Sequence, residues 1–240
     1  MIELDYAASG IPVRDDLRAA HRELLAHLAA PGTWWAGAAR IAIAAEARLA
    51  PRCALCRARR DALSPAAVEG QHDTLGDLSP RLVDVIHRIR TDAGRLTRAW
   101  FDGVIAGGVT DAEYVEIVAV VTMLAGVDFF ARALGIDPFP LPAPTAGAPS
   151  RRRPAKAAVG VAWVPVIASD ADLYGDAGFV PNILRALSLV PEEVRMLQRL
   201  SETHYLPFAR IPDPTARRTL DRMQMELVAG RVSALNQCFY

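Results

Sequence analysis

The sequence predicts an all-α protein on three observations. Apolar residues recur at helical spacing in most segments. Thr110 and Glu113 match a capping box in front of a long apolar run, and proline or glycine stands where several apolar runs end. No segment shows the alternation of apolar and polar residues that is typical of half-buried strands.

The predicted helices follow from these start and stop signals. Asp15 or Asp16 can cap the first, which Pro31-Gly32 ends, and Pro51 breaks the second because proline removes a helical hydrogen bond. In the first half we expect helices over residues 15–30, 33–50, 53–63, 81–90, 94–106 and 111–134. In the second half we expect helices over residues 182–189 and 192–205 and from about residue 215 onward.

Composition divides the chain into three parts. Residues 138–165 are rich in proline, alanine and arginine, which is typical of an extended linker. We therefore expect a first helical unit over residues 1–137, a linker over 138–165 and a second unit over 166–240.

The charge and hydropathy of the chain limit the kinds of partner that it can bind. The 240 residues are 52% hydrophobic, and 27 basic residues balance 27 acidic ones. Such a chain has no global field for nucleic acid or an anionic membrane. The first residues lack a secretory pattern, and no uninterrupted apolar stretch approaches a membrane span of about 20 residues. We expect a cytoplasmic protein that binds neither nucleic acid nor membrane.

Cys53 and Cys56 form a C-x-x-C motif within the segment Arg40–Arg60. Residues i and i+3 share a helical face, so the two sulfur atoms can meet. Pro51 places Cys53 at the start of a new helix, where unpaired N–H groups and neighbouring arginines favour a thiolate. The segment therefore predicts a reactive dithiol, with Glu46 as the one carboxylate inside the segment.

Other chemistries find less support in the sequence. It contains no glycine-rich phosphate loop and no nucleophile elbow. Zinc needs about four ligands, and neither a second C-x-x-C nor an H-x-x-x-H accompanies the cysteine pair. We therefore favour redox chemistry without a metal or other cofactor.

The segments Ala39–Pro65 and Val83–Gly135, with Glu46 and the C-x-x-C, resemble the carboxymuconolactone decarboxylase-like proteins, a family that includes the alkyl hydroperoxidase D enzymes. Val180–Tyr240 resembles the same unit again. The resemblance implies an alkyl hydroperoxidase D-like helical bundle in two tandem units and a homo-oligomer. It also implies a thiol-dependent peroxidase that reduces organic hydroperoxides and is regenerated by a thiol or protein reductant.

The two copies depart from the family motif in different ways. In the family a glutamate stands twelve residues before the first motif cysteine, and Glu226 and Cys238 keep that spacing. The second cysteine and the histidine would follow Tyr240, so the sequence leaves three explanations open: truncation, a UGA codon for selenocysteine, or a natural end in a degenerate repeat. The first copy has Arg60 in place of the family's histidine, which leaves His72 or His87 as its replacement.

The predicted catalytic residues are therefore Cys53, Cys56, Glu46, Cys238 and Glu226. Two alternatives remain open. One is the family's decarboxylase chemistry, in which a histidine or glutamate transfers the proton. The other is a non-catalytic helical oligomer whose cysteines are small buried apolar residues.

Overall fold

The computed structural model describes residues 4–160, 162–175 and 180–235. Over these ranges the chain forms ten α-helices and no strand beyond one isolated bridge between Ala158 and Val166. The all-α prediction is confirmed. The helices are α1 (Asp15–Ala29), α2 (Gly37–Leu49), α3 (Ala54–Asp61), α4 (Pro80–Asp92), α5 (Arg98–Ala106), α6 (Asp111–Ala133), α7 (Ala171–Tyr174), α8 (Asn182–Leu187), α9 (Pro191–His204) and α10 (Arg222–Leu235).

Helix α6 is the central element of the fold. Its N-terminus carries the predicted capping box, in which the Thr110 hydroxyl accepts from the Glu113 N–H and the Glu113 carboxylate accepts from the Thr110 N–H. The helix packs against α1, α2, α4, α8 and α9. Its most apolar 18-residue window has the mean hydropathy of a membrane span, 1.8, but 56% of that window is buried within the protein. This burial is typical of a core helix.

The two predicted units share one hydrophobic core. A contiguous cluster of buried side chains extends from Leu4 to Leu200, and α9 packs along α1. The predicted linker runs extended beside the first unit, where the Thr145 N–H donates to Ala29 and the Arg151 N–H donates to Thr33. The segment therefore joins elements that are packed together, and the division into domains stays a prediction.

Two carboxylates interrupt the apolar run of α6, and both are paired with arginine. Glu116 accepts from Arg40 at 2.5 Å and Asp128 accepts from Arg48 at 2.7 Å. Arg40 also contacts Glu193 of α9 at 2.7 Å, so one buried guanidinium connects α2, α6 and α9.

Among the longer helices, α10 has the fewest buried residues. Met223, Leu227 and Val228 are 83%, 75% and 56% exposed, and Met225 is the one buried residue of the helix. Helix α10 thus leaves much of its apolar surface uncovered.

Candidate functional site

Helix α3 positions the cysteine pair. Helix α2 ends at Leu49, a short 3-10 turn follows at Ala50–Arg52, and Cys53 is the N-cap of α3. The predicted start of a helix at Cys53 is confirmed. Both cysteines are free thiols, and Cys53 and Cys56 are 0% and 4% exposed. The pair therefore lies inside the protein, in a small cluster with Leu55.

Two histidines from later in the chain meet the sulfur atoms. His72, in the loop before α4, places Nδ1 3.5 Å from the Sγ atoms of both cysteines. His87, on α4, places Nδ1 3.2 Å from Cys56 Sγ. One ligand-type atom from each of the four side chains lies within 4.8 Å of the others. Where the sequence offered His72 or His87 as alternatives, the fold brings both to the dithiol.

A carboxylate holds the outer nitrogen of each histidine. His72 Nε2 lies 3.0 Å from Asp84 Oδ1, and His87 Nε2 lies 2.9 Å from Glu46 Oε1. The second oxygen of Glu46 accepts from the Leu75 N–H at 3.1 Å, and Glu46 is fully buried. These contacts fix both rings with Nδ1 toward the sulfur atoms.

Asp84 is anchored by two further donors. Arg59 Nη1 lies 2.9 Å from Oδ1, and the Trp100 indole N–H donates to Oδ2 at 3.2 Å. These hydrogen bonds and that of His72 outweigh the effect of burial and hold the pKa of Asp84 well below its usual range. Asp84 therefore stays ionised beside His72.

His72 is held as a cation. Burial alone would lower its pKa, but hydrogen bonds to Asp84 and to the two cysteines raise the pKa to about 10. At neutral pH both ring nitrogens then carry hydrogen, and Nδ1 can donate toward sulfur. This places a positive charge directly against the dithiol.

His87 has the opposite character. Burial lowers its pKa, the hydrogen bond to Glu46 opposes that shift in part, and the nearby His72 charge adds to it. The neutral ring donates its Nε2 hydrogen to Glu46, which leaves the Nδ1 lone pair facing Cys56. His87 can therefore accept a proton from the Cys56 thiol.

The thiol pKa of Cys53 is lowered overall. Burial raises it, but hydrogen bonds from the Cys56 N–H and from His72 more than offset burial. The direction of the Cys53 shift agrees with the sequence prediction, but its main causes are the Cys56 N–H and His72 rather than the neighbouring arginines. The side chain of Asp73 accepts from the Ala54 N–H at 2.8 Å and occupies one of the donors at the start of α3.

Of the two predicted residues of the second unit, Glu226 is described by the structure and lies apart from this site. Glu226, on α10, is bonded to Tyr205 and to Arg222, the latter at 2.8 Å. Cys238 lies outside the described residues. Among the described candidates, Glu46, Cys53 and Cys56 come together and Glu226 does not join them.

Sequence reasoning missed Asp84 and Trp100 as members of the site. Both stand on helical segments whose polar residues look solvated, and no spacing rule connects them to a cysteine 28 or more residues away. A cavity of about 340 Å³ adjoins this group, with His72 and Asp84 in its lining together with Gly70 and Thr74.

Comparison of the chain with protein-family models, with curated proteins and with solved structures found no match. The family resemblance described from the sequence therefore stays an expectation, and the functional argument rests on the site itself.

Proposed function

We propose that the protein is a thiol-dependent peroxidase that reduces organic hydroperoxides through Cys53 and Cys56 in the cytoplasm. The observation that carries the proposal is the placement of two histidines of unlike charge against the pair. Cationic His72 contacts both thiols, and neutral His87, held by Glu46, contacts Cys56. An attacking thiolate and a base for the second thiol are what dithiol peroxide chemistry needs.

The first step forms a sulfenic acid. The Cys53 thiolate attacks the terminal oxygen of the hydroperoxide, the O–O bond breaks, and the OH group stays on sulfur. The leaving alkoxide takes the Nδ1 proton of His72 and departs as an alcohol. Cys53 is first because its thiol pKa is lowered and the cation lies beside it.

The second step forms the disulfide. His87 takes the Cys56 proton, and the new thiolate attacks the Cys53 sulfur. The departing hydroxide takes that proton back from His87 and leaves as water. One hydroperoxide and two thiols thus become one alcohol, one water and one disulfide, and an external thiol or protein reductant restores the pair.

Steady-state turnover tests the proposal. The full chain is mixed with tert-butyl hydroperoxide and dithiothreitol, and peroxide consumption is followed in the wild type and in Cys53→Ser, Cys56→Ser and Cys238→Ser. We expect turnover in the wild type and in Cys238→Ser, and background rates in the other two variants. Thiols that do not react with the hydroperoxide in the folded protein would contradict the proposal and favour cysteines that are only small buried apolar residues. Turnover that depends on Cys238 and not on Cys53 would move the chemistry to the second unit.

The homo-oligomer also stays a prediction. Light scattering on the purified chain measures its molar mass in solution, and a mass of one chain at all concentrations would contradict it.

A further inference from the structure

The four side chains at the dithiol have the composition of a zinc site. They offer two sulfur and two imidazole nitrogen atoms, the donor set of many structural Zn²⁺ centres. The two cysteines are three positions apart in the sequence, whereas His72 and His87 lie 19 residues after Cys53 and 31 residues after Cys56, respectively. The sequence argument against zinc considered only ligand motifs that accompany the cysteine pair, and these two histidines lie outside such motifs.

The distances agree with one shared ion. With Zn–S of about 2.3 Å and Zn–N of about 2.0–2.1 Å, a tetrahedron places its sulfur and nitrogen ligands about 3.5 Å apart. The Sγ to Nδ1 distances are 3.5, 3.5 and 3.2 Å. Three of the six donor pairs thus stand near the separation that four-coordinate zinc requires, and all four donors lie within 4.8 Å of one another.

The outer contacts fit as well. A histidine that binds zinc almost always gives its other ring nitrogen to a carboxylate, carbonyl or water, which fixes the tautomer and orients the ring. Here Asp84 and Glu46 fill that role for the two histidines, at 3.0 and 2.9 Å. Arg59 and Trp100 in turn hold Asp84 in place.

Burial and charge select the ion. Cys53 and Cys56 are almost completely buried, so two thiolates there would need a compensating charge, and a divalent cation supplies it. Thiolate and imidazole ligands suit zinc and exclude the oxygen-seeking Mg²⁺ and Ca²⁺. Four protein ligands leave no open position, which is typical of a structural site.

We propose that Cys53, Cys56, His72 and His87 bind one Zn²⁺ while both cysteines are reduced, and that formation of the Cys53–Cys56 disulfide releases the ion. Zinc displaces the Nδ1 proton of His72 and any proton on the two sulfur atoms, because ligand atoms must be deprotonated. A disulfide removes both thiolate ligands at once, so the two states exclude each other. The proposal rests on the reduced pair and its two histidines, independently of the proposed peroxide chemistry.

Metal titration of the full chain tests this. The protein is reduced, freed of metal with a chelator, and titrated with Zn²⁺ against a chromophoric chelator, and with Co²⁺ for its absorption spectrum. We expect one equivalent of each ion per chain and a tetrahedral Co²⁺ spectrum with a sulfur-to-metal charge-transfer band. The matched variants are His72→Gln, His87→Gln and the control His27→Gln, which lies on α1 and contacts Glu193.

The variants separate the outcomes. We expect affinity to fall at least 100-fold in His72→Gln and His87→Gln and to stay within about twofold in His27→Gln. Asp84→Asn, which keeps all four ligands, should lose about 10- to 100-fold. Circular dichroism of each variant establishes that it is folded. Absence of stoichiometric binding in the folded, reduced wild type, or binding unchanged in His72→Gln, would overturn the proposal.

A second experiment oxidises the zinc-loaded protein with diamide. The azo group of diamide takes up the two thiol hydrogens and is reduced to a hydrazine, while the two sulfur atoms form a disulfide. We expect oxidation to release the bound Zn²⁺ and dithiothreitol to restore binding. Zinc that stays bound to the disulfide form would contradict the exclusion. Because diamide replaces the hydroperoxide, loss of peroxidase activity and loss of zinc binding remain separate results.

Discussion

The tautomer of His87 depends on Glu46. A carboxylate can only accept at His87 Nε2, so the ring hydrogen stays on that nitrogen and Nδ1 faces Cys56 as a lone pair. An amide at the same position can donate to Nε2 instead, which moves the ring hydrogen to Nδ1. Glu46 is thus a positioning residue whose effect passes through the histidine.

The substitution Glu46→Gln should therefore slow disulfide formation by about 100-fold, the scale of general base catalysis. The measurement is the lifetime of the Cys53 sulfenic acid after one equivalent of hydroperoxide, trapped with dimedone, across a pH series. Solvent can take the thiol proton at alkaline pH, so the defect should shrink there. Glu192→Gln, with an exposed carboxylate, is the control. A defect of equal size at every pH would indicate a structural role only.

Single residues also show what sequence reasoning could reach at the site. Pro51 places Cys53 at the start of a helix, and Cys56 follows one turn later. Glu46 is the one carboxylate between Arg40 and Arg60, so these three site residues follow from local signals. His87 and Asp84 reach the dithiol because α4 packs against α3, and the loop before α4 brings His72 to the same place. These are tertiary contacts that no spacing rule predicts, so the sequence could offer His72 and His87 only as alternatives and did not single out Asp84.

Among the helices, the junction of α2, α6 and α9 depends on one buried ion cluster. Arg40 is fully buried between Glu116 and Glu193, and Glu116 also accepts from the Trp34 N–H at 2.6 Å. Gly32 leaves room for this cluster, since a Cβ there would clash with the Glu116 carboxylate. Both carboxylates lose their guanidinium partner if Arg40 is replaced.

Arg40→Met should lower the free energy of unfolding by about 3–5 kcal/mol, because a buried charge without its partner is costly even when apolar volume is kept. Urea unfolding followed by circular dichroism measures it. The matched control is Arg98→Met, whose ion pair with Asp102 is more than half exposed and should change stability by less than about 1 kcal/mol. Equal losses in the two variants would refute a special role for the buried cluster.

Helix boundaries follow the sequence where a cap specifies them and depart from it elsewhere. The capping box at Thr110 and the break at Pro51 were predictable. Helix α2 begins at Gly37 instead of about residue 33, because the Gly32 N–H donates to the Trp35 carbonyl and closes a bend. Helix α10 begins at Arg222 instead of about residue 215, since the Asp213 side chain accepts from the Thr215 N–H in a turn.

Over the whole molecule, the contact between the first and second units contains a histidine pair, in which His21 is buried and His204 is partly exposed. His21 of α1 and His204 of α9 lie with their Nε2 atoms 2.7 Å apart, and Tyr6 contacts the other nitrogen of His21. Burial, aided by the charge His204 would carry, lowers the pKa of His21 to about 4, and burial followed by Arg14 lowers that of His204. Both rings are therefore neutral in the folded protein near neutral pH.

This pair should make the protein less stable in acid. The unfolded chain takes up a proton on His21 near pH 6.5, and the folded chain does so only near pH 4, so stability falls as the pH drops through that window. The loss from His21 is about 3 kcal/mol at 1.36 kcal/mol per pKa unit. Urea unfolding at several pH values measures the slope in the wild type and in the double variant His21→Gln, His204→Gln. Identical slopes would disprove the assignment.

The central claim is that Cys53 and Cys56 cycle between dithiol and disulfide with a hydroperoxide. The direct measurement is mass spectrometry of the reduced chain after one equivalent of tert-butyl hydroperoxide, with peptide mapping under non-reducing conditions. We predict a loss of two hydrogen masses, one equivalent of tert-butanol and a peptide pair joined through Cys53 and Cys56. Unchanged thiols at these two positions, with the hydroperoxide intact, would contradict the account.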